Sequence, residues 1–182
     1  MSTLEHAVSL GTLPSTLEEF LALRDRVART PEGGAAMFAL ALVCWARDTA
    51  VGEPYITVSI AAKLLDDDPA GYKGKRPRRA LQQNLRDRLA AKTYTARSYI
   101  QETSPSNGYA LPAGAPLVVR VRQQRDSLQG DDKARVFVHS TGADSPRPVS
   151  LERNDKGFWK AVEWSSLEVG VRPPVSAQSD DL

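Results

Sequence analysis

The residue types of a hydrolytic triad fall within seven positions of one another: His139, Asp144 and Ser145. A serine hydroxyl deprotonated by histidine, itself oriented by aspartate, attacks acyl carbons. The surrounding Gly142-Ala143-Asp144-Ser145-Pro146-Arg147-Pro148 lacks the small-residue elbow that exposes such a serine, and no oxyanion-hole element accompanies it. In extended chain His139 and Ser145 stand ~20 Å apart. The segment reads instead as a turn, with Asp144 accepting nearby backbone N–H groups and the prolines fixing the chain. No catalytic residue is assigned, and a non-enzyme is expected.

Metal chemistry has little to build on. The histidines, His6 and His139, are far apart and Cys44 is the single cysteine, so no zinc spacing arises. Asp66-Asp67-Asp68 lacks the alternating ligands and terminal glutamate of a calcium loop and reads as a solvated helix end. No glycine motif cradles a phosphate. Neither metal nor cofactor is expected.

Charge is unevenly spread. The chain carries +2 overall, yet Lys73 to Arg97 carries +8 and the remainder −6. Lys73, Lys75, Arg76, Arg78 and Arg79 are the residues that would neutralise phosphates, with Tyr72, Tyr94 or Tyr99 available for stacking. The competing reading is a charged, solvated surface. Trp159 and Trp164 lie an odd number of residues apart and so on opposite faces of an extended strand. One of them exposed beside Arg147 or Arg172 would make a protein-binding anchor.

These residues need a scaffold. The 182 residues, 41% hydrophobic and 25% charged, suit one globular domain with a sizeable core. The longest apolar run, Ala35 to Ala46, is shorter than the ~20 residues that span a membrane. It reads as a buried central helix and places Cys44 in the core. One cysteine, no leader pattern at the start and an Ala/Arg-rich composition suggest a bacterial cytoplasmic protein.

Helix signals fill residues 14–93. Ser15-Thr16-Leu17-Glu18 forms a capping box. Thr30 caps a helix with Pro31 in its first turn. Arg78 to Lys92 presents Leu81, Leu85 and Leu89 on one face. Residues 55–60 alternate like a strand but run into helical sequence, and a short helix ending near Asp66 is expected. Asp67 to Gly71 reads as a loop. Residues 94–174 change character: extended sequence at Tyr94 to Ile100, strands at Leu117–Arg122, Ala134–His139, Val149–Glu152, Phe158–Trp164 and Leu167–Val171, and a hairpin turn at Asn154 to Gly157. The expected class is α+β, a helical half packed on an antiparallel sheet or small barrel of about five strands. Residues 1–13 are expected as a flexible N-terminus and 175–182 as a disordered tail.

Five elements then occur in order: Thr30-Pro31-Glu32-Gly33, Leu85-Arg86-Asp87-Arg88-Leu89, Ser104-Pro105-Ser106-Asn107-Gly108-Tyr109 preceded by Tyr99, Gly142-Ala143-Asp144-Ser145-Pro146-Arg147-Pro148, and Gly157-Phe158-Trp159. Together they resemble an uncharacterised bacterial family built on a domain of unknown function. The resemblance spans about Thr30 to Pro174. It implies a single compact domain in an intracellular protein and brings no activity, cofactor or catalytic residue. The expected function is a protein-interaction module, accessory to a larger assembly, with Arg147, Trp159, Trp164 and Arg172 bordering the contact. Nucleic-acid binding through the basic segment is the alternative.

Overall fold

The computed structural model describes residues 3–175. Strand β1 (Leu4–Gly11) is followed by helices α1 (Leu17–Val27), α2 (Pro31–Arg47) and α3 (Thr49–Ser59), then by a hairpin of β2 (Leu65–Tyr72) and β3 (Lys75–Pro77). Helix α4 (Arg79–Leu89) and the single turn α5 (Tyr94–Arg97) lead into β4 (Leu117–Gln123), β5 (Lys133–Val138), β6 (Arg147–Arg153) and β7 (Trp159–Glu163). The class is α+β, as expected, with an open five-stranded antiparallel sheet rather than a barrel. Its order is β1-β4-β5-β6-β7.

The helix starts follow their caps. The Thr16 hydroxyl accepts from Glu19 N–H, while the Glu19 carboxylate accepts from Ser15 N–H at 2.8 Å. The box is thus closed by Glu19, one residue later than the sequence suggests. Thr30 caps α2 by accepting from Gly33 N–H. Asp48 ends α2 and caps α3, accepting from Ala50 and Val51 N–H.

Helix α2 is buried from Pro31 to Trp45 and lies across the inner face of the sheet. Val119, Val121, Val136, Val138, Val149, Leu151 and Ala161 on the strands are all buried. Period-two alternation sends these side chains inward and their neighbours outward. Gly34 permits the contact between α2 and β7. A Cβ there would sit 2.7 Å from both Cβ and the carbonyl oxygen of Trp159.

Several expectations are corrected. Residues 1–13 are not a flexible lead-in, because Leu4–Gly11 pairs with β4 along almost its whole length. Residues 55–59 belong to α3, which ends at Ser59 rather than near Asp66, and Ile60 follows in extended backbone. Burial against α2 and the Asp48 cap outweigh the β-branched run. Residues 65–72 form a strand where a helix end and loop were expected, because Asp66 and Asp67 pair across the hairpin with Arg76 and Lys75. Tyr94–Arg97 is a helical turn, not extended chain. Leu167 lies in a 3-10 turn, Ser165–Glu168, so no strand runs from 167 to 171. The turn at 154–157 forms as read, with Gly157 at φ +83°. The tail expected at 175–182 lies, beyond Val175, outside the described residues.

Candidate functional site

The triad residues are engaged separately. His139 Nε2 lies 2.9 Å from a Glu5 carboxylate oxygen. Asp144 accepts from the Arg172 guanidinium at 2.6 Å. No hydrogen bond joins Ser145 to either. The turn that holds them is a clasp. Tyr109 donates its hydroxyl to the Arg172 carbonyl at 2.6 Å, and Arg172 N–H donates back to the Gly142 carbonyl at 2.9 Å. A methyl group on Gly142 would overlap the Tyr109 hydroxyl, so the glycine of one motif makes room for the tyrosine of another.

The four residues expected to border a protein contact divide. Trp159 is buried against α2 and Trp164 is buried with its ring centroid 4.6 Å from that of Phe38. The alternation that would have exposed one of them stops, because β7 ends at Glu163 and Trp164 starts the following turn. Its indole N–H donates to Glu168. Burial pushes the Glu168 carboxyl above its ordinary value, against the opposing hydrogen bonds from Trp164 and Arg88. Arg147 donates to the Gly170 carbonyl, which spends it on the clasp. Of the four, Arg172 is the exposed one, and its guanidinium holds Asp144.

Three of the five basic residues singled out, Lys75, Arg76 and Arg78, face acidic residues of their own hairpin. Lys75 pairs with Asp67 at 2.5 Å, and Arg76 pairs with Asp68 at 2.8 Å and with Glu53 of α3 at 2.7 Å. Arg78 stands 3.8 Å from Asp66. Lys73 occupies the turn with φ +50° and, like Arg79, has no ion pair among the described residues. Burial of Leu85 and Leu89 fixes the inner face of α4, and Arg88 reaches Glu168 at 3.0 Å.

The two edges of the sheet are more informative. β1 pairs with β4 on one side, and among the described residues no strand pairs with its other side. Leu4, at its end, is 57% exposed. The strand has neither lysine nor proline, which edges commonly use to deter pairing. On the outer face of the sheet Glu5 stands beside Arg122, and Lys133, Glu152 and Lys160 form another cross-strand row. Arg120 and Arg135 share that face, and Arg135 lies 5.4 Å from the Phe137 ring centroid. Burial pushes the Glu5 carboxyl up, but hydrogen bonds from Arg122 and His139 outweigh it and hold it below the ordinary value.

The opposite edge is closed. Ile60 bridges Ala161 in parallel fashion, and Ala61 N–H donates to the Ala161 carbonyl at 3.0 Å. A cleft of about 360 Å³ lies there, between residues 57–65 and the β6–β7 hairpin. Lys160 lines it and donates to the Val58 carbonyl. Sequence reading missed this lysine, although its place between Trp159 and Ala161 puts it on the face opposite two core residues. Among the described residues, no group of three or more His, Cys, Asp or Glu is placed to hold a metal ion, and no helix is long and apolar enough to cross a membrane.

Comparison with curated proteins and with solved structures finds no match. A family model does match, over residues 12–175, beginning just after β1 and taking in the helical layer, the hairpin and the remaining four strands. The clasp residues Tyr109, Gly142 and Arg172 and the close-packed Gly34 fall within the match, and the chain belongs to the family of the domain of unknown function DUF6935.

Proposed function

We propose that this chain is a non-enzymatic protein-interaction module whose contact is the open edge of β1, where it accepts an extended segment of another protein as a sixth strand. The observation that carries this reading is the unpaired side of β1, which keeps regular register from Leu4 to Ser9. Unpaired main-chain N–H and C=O groups on such an edge supply affinity to an added strand, and the alternating side chains supply specificity.

Charge selects the partner. The outer face presents Arg120, Arg122, Lys133 and Arg135 against Glu5 and Glu152. Two copies joined at β1 would set two positive faces side by side, whereas a segment with acidic residues on that face complements it. An alternating valine–glutamate peptide of about eight residues, the length of a common strand, is the probe. Amide shifts on titration are expected in β1 and β4. Ala7→Glu, in the middle of the exposed face, weakens binding about tenfold through like-charge contact. Shifts that spare β1, or a concentration-dependent dimer of this chain that Ala7→Glu abolishes, would overturn the reading.

Nucleic-acid binding is the second reading, and what favours it is the Arg135–Phe137 stack on that same face rather than the hairpin, whose Lys75, Arg76 and Arg78 face acidic partners. It requires an affinity for single strands that falls steeply with salt and is lost in Arg135→Gln.

A further inference from the structure

At the closed edge a lysine is buried with no carboxylate paired to it among the described residues. Lys160 is 9% exposed. Its ammonium donates to Val58, whose carbonyl lies in the last turn of α3, where no helical N–H is available. An ammonium has three N–H donors, and that carbonyl occupies one. Glu152 stands directly across from Lys160 on β6, but its carboxylate turns to Lys63 at 2.6 Å. On the other side, Arg24 and Arg29 lie 4.6 and 4.2 Å from the Phe158 ring centroid, with Lys160 at 5.7 Å from the same ring. Asp25, the acid of that cluster, is bonded to Arg24 at 2.7 Å.

The cleft has the further parts of a small-molecule site. Ile60, Ala61 and Leu65 supply an apolar wall. Arg153 lines the opposite side and has no ion pair among the described residues. Asn154 turns its carbonyl oxygen to the N–H groups of Lys156 and Phe158, which leaves its amide N–H₂ as an additional donor. Clefts of this size, mostly apolar with a few placed polar groups, suit small ligands.

We propose that this cleft binds the oxyanion of a small apolar molecule, a carboxylate or a phosphate monoester, with Lys160 as its buried counter-charge and Arg153 and Asn154 at its rim. Capping of α3 explains why a donor sits at Val58 but not why the donor is charged, since a neutral donor would satisfy the carbonyl equally. An isolated buried ammonium is costly, and an arriving anion removes that cost. Burial first, and then Arg24, lowers the Lys160 amine to about 8, with Lys156 adding to the shift and Asp25 opposing it. That is the condition expected of a cation short of its partner. The site is independent of the β1 edge, on the far side of three intervening strands.

The probes are hexanoate, phenyl phosphate and inorganic phosphate, each titrated into the full chain and followed by amide shifts at Ala61, Asn154 and Lys160. Saturable binding by hexanoate identifies a carboxylate site, and by phenyl phosphate a phosphate-ester site. Lys160→Met, which keeps the apolar stem, lowers affinity at least about tenfold. Arg153→Gln, at an exposed position, lowers it severalfold and serves where Lys160→Met does not fold. No saturable shift with any probe up to ~10 mM, or affinity unchanged in either variant, would overturn the proposal.

Discussion

One sheet ends in two different ways. At β7 the edge is closed by Ile60 and Ala61, backed by α2 through the Gly34 contact, and its single cation is buried. At β1 the side facing away from β4 has no strand partner among the described residues, Leu4 is exposed, and Glu5 is shared among Arg120, Arg122 and His139. The closed edge puts unsatisfied charge beside a cleft. The open edge puts unsatisfied hydrogen bonds beside a charged face. The two proposed ligands differ accordingly: one small and anionic, the other extended and peptide-like.

This contrast can be broken by substitution. The largest effect belongs at the closed edge. Gly34→Ala forces apart α2 and β7, so it should destabilise the fold by about 3 kcal/mol in urea unfolding, the upper range for overpacking. A cost near zero would mean that β7 is not held against α2 as described.

A smaller effect comes from Lys160 and has a defined sign. Its amine titrates at about 8 in the folded chain against an ordinary value of 10.5. Between those values the unfolded chain binds the proton that the folded chain has shed, so this group makes stability rise with pH. From roughly pH 7 to pH 9 wild type should gain about 1.4 kcal/mol relative to Lys160→Met. Burial raises the Cys44 thiol to about 12 and also raises the Tyr55 and Tyr109 hydroxyls. Those groups act in the opposite direction, but they are common to both proteins and cancel in the difference. A flat difference across that range would show that Lys160 is solvated.

The smallest effect is expected at the open edge. Ala7→Glu, on an exposed position of β1, should leave stability within about 0.5 kcal/mol of wild type while altering peptide binding. A large loss of stability would instead make β1 part of the structural core and sharpen the asymmetry in the other direction.

Much of the closed half was legible in the sequence. The Thr30-Pro31 start, the apolar run of α2 and the Asn154 to Gly157 turn each rest on local chemistry, and each appears where read. The open half was not. Leu4, His6, Val8 and Leu10 alternate as an edge strand should, but their partner β4 lies more than a hundred residues away, and no local signal announces the pairing. The β2 strand was hidden for another reason. Asp66-Asp67-Asp68-Pro69 contains nothing that favours a strand, and the pairing is held by charges across the turn. The candidate cleft shows the same limit. Strand parity gives the side on which Lys160 lies, but that no carboxylate among the described residues pairs with it depends on Val58, Lys63 and Glu152 meeting in space.

The β2–β3 hairpin carries a consequence of its own. Its Lys75–Asp67 and Arg78–Asp66 pairs lie at the surface, with Asp67 almost fully solvated, and at ~1 M ionic strength charges are screened within about 3 Å. Concentrated salt therefore acts on this element selectively. The Asp68 N–H, bonded across the turn to the Gly74 carbonyl at 3.0 Å, becomes quicker to exchange with solvent, while the amides of the central strands keep their protection. The hairpin is a flap whose stiffness follows the electrolyte around it, mounted on a body whose stiffness does not.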